Sequence, residues 1–139
     1  WVLPLFTFVL AGIISFSTGS SWATMGIMIP VILPLMHSME NAADSGNLFF
    51  YLAAAAVLDG AIFGDHCSPI SDTTVLSSFS SECDHLKHVT TQLPYALTTM
   101  IIVSILGYIF VALGASNWTF FILFPIIAFL FLKFVGKKV

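Results

Sequence analysis

Apolar residues fill this chain in long blocks, and the polar ones are gathered into a few short stretches that divide it. Residues 1–36 are apolar except for a centre, STGSSWAT, at residues 17–24. One straight helix over that length would reach about 54 Å at 1.5 Å per residue, against a membrane hydrocarbon core of about 30 Å. The flanking pieces, 1–16 and 25–36, are each short for a crossing, whereas a hairpin that turns at its polar centre fits both. The pattern predicts a re-entrant helical hairpin, with Gly19 permitting the reversal and Pro30 and Pro34 kinking the second arm. Two ordinary buried helices joined by a Ser/Thr turn satisfy the same pattern.

Residues 37–47, HSMENAADSGN, read as a polar loop carrying Glu40 and Asp44. An apolar helix-prone run follows from Leu48 to Leu58, and then LDGAIFGDHCSPISDTTVLSSFSS places Asp59, Asp65, His66 and Asp72 among Gly60, Gly64 and Pro69. This segment, 48–81, is expected to be a membrane helix that breaks near its middle and resumes. A polar connection follows at 82–92, ECDHLKHVTTQ. Pro94 suits the start of the next helix, where a missing N–H costs little. Residues 93–115 and 118–135 read as transmembrane helices separated by a turn at Ser116 and Asn117, with Pro125 a kink in the second. The fold class is therefore an all-α membrane protein: a re-entrant helical hairpin, a discontinuous transmembrane helix and two C-terminal transmembrane helices.

Composition supports this class: 58% of residues are hydrophobic and 8% charged, with a mean hydropathy of +1.02, against about 25% charged in soluble domains. The net charge of −3 and four lysines without a common face argue against nucleic acid as a partner. Cys67 and Cys83 are expected at different depths, so a mutual disulfide is not predicted. The first residues lack the features of a signal peptide, and no initiator Met is present. The expectation is a C-terminal part of a longer protein, embedded in lipid, that acts with an N-terminal half and is inactive alone; a homodimer is left open. By the positive-inside rule, Lys133, Lys137 and Lys138 place the C-terminus in the cytoplasm. Counting back puts 116–117 outside, 82–92 with Lys87 inside and the acidic 37–47 loop outside. A multi-pass protein of the cell membrane is the predicted localisation.

Carboxylates inside a membrane mark ion pathways, and an interrupted helix survives there only where its freed N–H and C=O groups face protein or a water-filled cavity. Desolvation favours the neutral form of a carboxylate, so one such site can hold a proton and a sodium ion in turn. Sodium prefers oxygen ligands. Asp65 and Asp72, with Ser71 and Thr73, are the candidate sodium ligands, and Ser68 and Thr74 add hydroxyls at the same break. Thr18, Ser20, Ser21 and Thr24 at the hairpin tip offer more from the opposite side, although hydroxyls in such helices also serve simply to bond their own backbone. Asp72 is in addition a candidate N-cap for the resumed helix. Asp59 is a further candidate for a polar cavity. His66 can relay protons or pack the break as a neutral side chain; His37, His85 and His88 read as surface residues of polar loops.

Two enzymatic readings carry less. The spacing of Cys83, His85 and His88 matches no usual zinc pattern. Asp59 with Asp65, or Ser68 with His66 and Asp72, has the residue types of a membrane protease, but groups so near in sequence rarely converge and no nucleophile-elbow glycines flank Ser68. No enzyme activity and no bound cofactor are expected, with sodium and protons as transported species.

Three blocks carry a resemblance: FSTGSSWATMGIMIPVILPL at 16–35, GDHCSPISDTTVLSS at 64–78 and CDHLKHVTTQLPYALT at 83–98. Together they resemble the C-terminal half of the NhaC family of sodium/proton antiporters. The resemblance implies half of an inverted-repeat transporter, in which paired re-entrant hairpins and broken helices surround a mid-membrane site and move in an elevator-like way. It maps the tip onto Thr18, Gly19, Ser20, Ser21 and Thr24, and the broken helix onto residues 65–74. The implied function is sodium/proton antiport across the cytoplasmic membrane, with Asp65 and Asp72 alternately protonated and sodium-bound. The alternative it implies is sodium- and proton-coupled exchange of organic acids of the malate/lactate type. Without arginine here, an organic acid would have to be held by hydroxyls, helix N-termini and sodium.

Overall fold

The computed structural model describes residues 2–43, 48–110, 113 and 117–135. Asp44 and the rest of 44–47, Ser116, Lys137 and Lys138 lie outside the described residues, as does the side chain of Glu40. Described elements are all helical: α1 Val2–Thr18, α2 Ser21–Ala43, α3 Leu48–Cys67, α4 Asp72–Ser80, α5 His85–Val103, a π-helical segment Ser104–Ile109, and α6 Asn117–Val135. They group into two compact units, Trp1–Ala96 and Leu97–Val139. Within the second, α6 packs against the π-helical segment.

The first unit is organised by the contact of α1 with α3, with α2 packed on α3 as well. Along α1 the buried positions are Pro4, Thr7, Phe8, Ala11, Gly12 and Ser15, a stripe at helical spacing. Facing it, α3 buries Ala53, Ala56, Val57, Gly60, Ala61 and Gly64. Small residues on both sides let the two backbones approach closely, the usual way helices associate where apolar burial alone gives no preference. A Cβ at Gly60 would run into the carbonyl oxygen of Phe8, and one at Gly64 into that of Gly12. Ser15 Oγ donates to the Ala61 carbonyl across the seam at 2.5 Å. Below it, Ala11, Met28 and Val57 form a core flanked by Leu10, Ile14, Ile29 and Ile32.

Helix boundaries differ from expectation at two places. The second arm of the hairpin is not 25–36 but the 23 residues Ser21–Ala43, continuous through Pro30 and Pro34, about 35 Å of helix. Ser20 starts it early, its hydroxyl accepting from Ala23 N at 3.3 Å. Ser38 bonds back to the Pro34 carbonyl at 3.0 Å, so the start of the expected polar loop is helix. Likewise the 82–92 connection shrinks to a few residues, because Asp84 Oδ1 accepts from Lys87 N at 2.8 Å and begins α5 at His85. The preceding turn closes with Glu82 in the left-handed region at φ 51°, Glu82 N bonding Phe79 O and Cys83 N bonding Ser78 O. That pair of bonds is the Schellman arrangement.

By length and composition, Ser21–Met39 and His85–Ile109 can cross a membrane. The exposed apolar side chains fit the same medium. Trp22 is 84% and Phe79 85% exposed, and many large apolar residues of α1, α2, α5 and α6 also lie on the surface, far more than water tolerates.

Candidate ion site at the helix break

Four residues, Ser68 to Ser71, separate α3 from α4, and the hairpin tip rests on them. Gly19 reverses the chain with φ +66°, and a Cβ there would stand 2.8 Å from the Ile70 carbonyl oxygen. The position requires glycine twice over, by conformation and by space; a left-handed non-glycine residue costs about 1–2 kcal/mol before any clash. Ser68 Oγ, fully buried, donates to the Phe16 carbonyl at 2.7 Å and fixes the break to the end of α1.

Asp65 lies in the last turn of α3, half-buried, with both carboxylate oxygens bonded. Ser71 Oγ donates to Oδ1 at 2.6 Å and Ser21 Oγ to Oδ2 at 3.0 Å. One hydroxyl thus comes from the start of α4 and the other from the start of α2. Ser71 is also the N-cap of α4, accepting from Thr73 N at 3.3 Å, and its oxygen lies 2.8 Å from Thr73 Oγ1. The short α4 directs its positive end toward the carboxylate side of the break.

Other candidate residues separate into distinct roles. Asp72 is the first residue of α4 and not its cap; it is exposed, with no hydrogen bond donated to its carboxylate among the described residues. Ser71 displaces it because a serine one position earlier has the extended backbone a cap requires, ψ 136°. Thr74 is buried and spans the break to the His66 carbonyl at 3.3 Å. Thr24 Oγ1 bonds Ser20 O at 3.0 Å and meets Thr18 Oγ1 at 3.4 Å, so this pair and Ser20 build the tip itself. Asp59 is exposed on α3, six residues or about 9 Å of helix before Asp65. The His66 ring is exposed as well.

His85 was expected at the surface, yet it is half-buried and clamps the break. Its Nε2 meets the Pro69 carbonyl at 2.6 Å and its Nδ1 meets Ser78 Oγ at 3.0 Å. Gln92 Nε2 donates to the His66 carbonyl at 2.9 Å. His85, His88 and Gln92 recur at three and four residues, one face of α5, a signal visible once the helix is started at Asp84. His85→Ala is expected to loosen this clamp and increase protease cleavage at the 81–84 turn several-fold; unchanged cleavage kinetics in membranes would contradict it.

Among the described residues the elements are all helical, with apolar surfaces and a polar helix break centred on a carboxylate, features that fit a membrane protein. Residues 1–114 match the profile of the Na+/H+ antiporter family, and the chain belongs to that family, which makes it a membrane protein. An uncharacterized Haemophilus influenzae protein is 47% identical over 115 residues, 83% of this chain and 21% of its own length. The malate-2H(+)/Na(+)-lactate antiporter of Bacillus subtilis is 34% identical over 120 residues, 84% of this chain and 24% of its own. The arginine/ornithine antiporter ArcD of Halobacterium salinarum is 33% identical over 97 residues, 67% of this chain and 19% of its own. The chain thus spans between a fifth and a quarter of the length of the first two relatives. No solved structure matches it.

Proposed function

We propose that this chain supplies an ion site for sodium/proton antiport across the cytoplasmic membrane, in which Asp65 holds a proton and a sodium ion alternately. The observation that carries the reading is the pair of hydroxyls on its two oxygens, Ser71 at 2.6 Å and Ser21 at 3.0 Å, from two different helices. Sodium would take Asp65, Ser21, Ser71 and carbonyls freed at the break. Asp72 and Thr73, on the exposed first turn of α4, stand just outside this set. In this reading α1 and α2 form a re-entrant hairpin whose tip meets the break within the hydrocarbon, while the polar end of α2 reaches out of it. The C-terminus faces the cytoplasm, the chain is multi-pass, and further transporter helices complete the cavity.

Sodium-driven proton flux in everted vesicles carrying the protein in its native assembly tests this; no flux at any pH would refute it. Asp72→Asn is expected to weaken sodium half-saturation by a few-fold while exchange continues, because a solvated charge acts on the site through screened distance. Complete loss of exchange would put Asp72 among the ligands.

A second reading, sodium- and proton-coupled exchange of organic acids, is favoured by the 34% identity to the malate/lactate antiporter. Labelled lactate or malate uptake that requires sodium, measured beside proton flux in the same vesicles, decides between the two.

A further inference from the structure

Beside the break, α3, α4 and α5 enclose a pocket of ≈ 110 Å³, room for a cation with part of its water shell. Every residue that lines it is polar: His66, Thr73, Thr74, Ser77, His88 and Gln92. In a chain that is 58% hydrophobic, neither lipid contact nor core packing selects such a lining. Two helix registers build it, Thr73 and Ser77 one turn apart on α4 and His88 and Gln92 one turn apart on α5.

Counting hydrogens shows what the pocket has left to offer. Two donors converge on the His66 carbonyl, Thr74 Oγ1 at 3.3 Å and Gln92 Nε2 at 2.9 Å. A carbonyl only accepts, so the Thr74 hydroxyl has spent its one hydrogen and the Gln92 amide has its orientation fixed. Gln92 Oε1 is then left buried with no partner among the described residues. An ionised Asp65 also only accepts, so Ser71 gives its hydrogen to Oδ1 at 2.6 Å and takes one from Thr73 at 2.8 Å. Ser77 Oγ has no hydrogen bond among the described residues. Three of these four oxygens offer lone pairs alone, and the fourth can turn its hydrogen away. Asp72, exposed at the start of the same helix, adds negative charge. Such a set suits a hard cation and repels an anion.

We propose that this pocket is a second sodium station, next to the Asp65 site and on its cytoplasmic side, held by Thr73, Thr74, Ser77 and Gln92. The proposal rests on the antiport reading and its orientation. Thr73 joins the two places, since it lines the pocket and touches Ser71, which bonds Asp65. The side is set by α5: Lys87 lies in its first turn, which the positive-inside rule puts in the cytoplasm, and His88 and Gln92 follow within two turns. Neutral oxygens hold a cation less tightly than a carboxylate does. A station on a path has to be left as well as entered, so weak ligands belong there and the strong one at Asp65. Sodium arriving from the cytoplasm stops in the pocket, then exchanges these oxygens for those of Ser71 and Asp65.

Ser77→Ala removes one oxygen without removing a bond of the fold, and Ser77→Asp puts a carboxylate in its place. Sodium binding is followed on the purified protein in its native assembly by sodium NMR line broadening, which registers weak sites and needs no transport. In the Asp65→Asn background binding should persist, weaken at least about threefold with Ser77→Ala and tighten at least about tenfold with Ser77→Asp. In everted vesicles with Asp65 intact, Ser77→Ala should raise the sodium half-saturation and leave the maximal flux as it was. Loss of all sodium binding in Asp65→Asn, or binding that neither change at Ser77 moves, overturns the station and leaves water as the occupant of the pocket. The expected binding pattern with no proton flux in the unaltered protein would keep the station and refute antiport.

Discussion

Asp65→Asn should abolish sodium-dependent proton flux while the protein inserts and folds normally. The substitution is nearly isosteric. Its amide oxygen can still accept from Ser71 and its NH2 group can donate to Ser21, so the three-helix junction around the break keeps its bonds. What disappears is the negative charge and the group that titrates. On the proposed reading sodium would lose an anionic ligand and no proton could be carried at that position, which predicts a fall of at least about 100-fold in coupled flux. The measurement is the sodium-induced pH change in everted vesicles, normalised to protein in the membrane. Flux above about a tenth of normal, at unchanged sodium affinity, would move the exchange chemistry elsewhere.

The second large effect is mechanical. Gly64→Ala places a Cβ 2.6 Å from Phe16 N and 2.7 Å from Ser15 Cβ, and against the Gly12 carbonyl. Backbone atoms cannot step aside, so α1 must move off α3. Two cross-links then weaken together, Ser15 to Ala61 and Ser68 to Phe16. The hairpin tip also loses its seat on Ile70, and with it Ser21 loses its register on Asp65. Overpacking of this kind costs about 1–3 kcal/mol. The expected result is a lower melting temperature in detergent together with weaker sodium half-saturation, although no site residue has changed. Gly26→Ala is the control: a Cβ there meets nothing within 4 Å, and alanine gains helix propensity of up to about 1 kcal/mol. A Gly64 variant as stable as the Gly26 variant would show that the seam is slack.

Much of the architecture was legible because apolar blocks and breakers act locally. Gly19 marked the reversal, and Gly64, Pro69 and the serines around them marked the interruption after Cys67. The boundaries of α2 and α5 were not legible in the same way. Both depended on single capping side chains, Ser20 and Asp84, which start a helix inside a stretch whose composition reads as loop. Among the candidate ligands, sequence could supply the residue types at the break and no more. Asp65 and Asp72 look alike in sequence, yet one is bonded on both oxygens and the other is exposed on the first turn of α4.

By itself, then, the sequence determined a helical membrane chain with carboxylates and hydroxyls set at an interruption, since hydropathy and breakers depend only on neighbours along the chain; its family came from the likeness of whole blocks of sequence to known antiporters. Tertiary structure decided which carboxylate is held, that Ser21 of α2 reaches it, and that His85 and Gln92 of α5 brace the break. The Ser21 pairing joins residues 44 positions apart, and it exists because glycine and alanine on α3 let α1 lie close enough to bring its turn onto Ile70; the α5 pairings, 16 and 26 positions apart, depend on where Asp84 starts that helix.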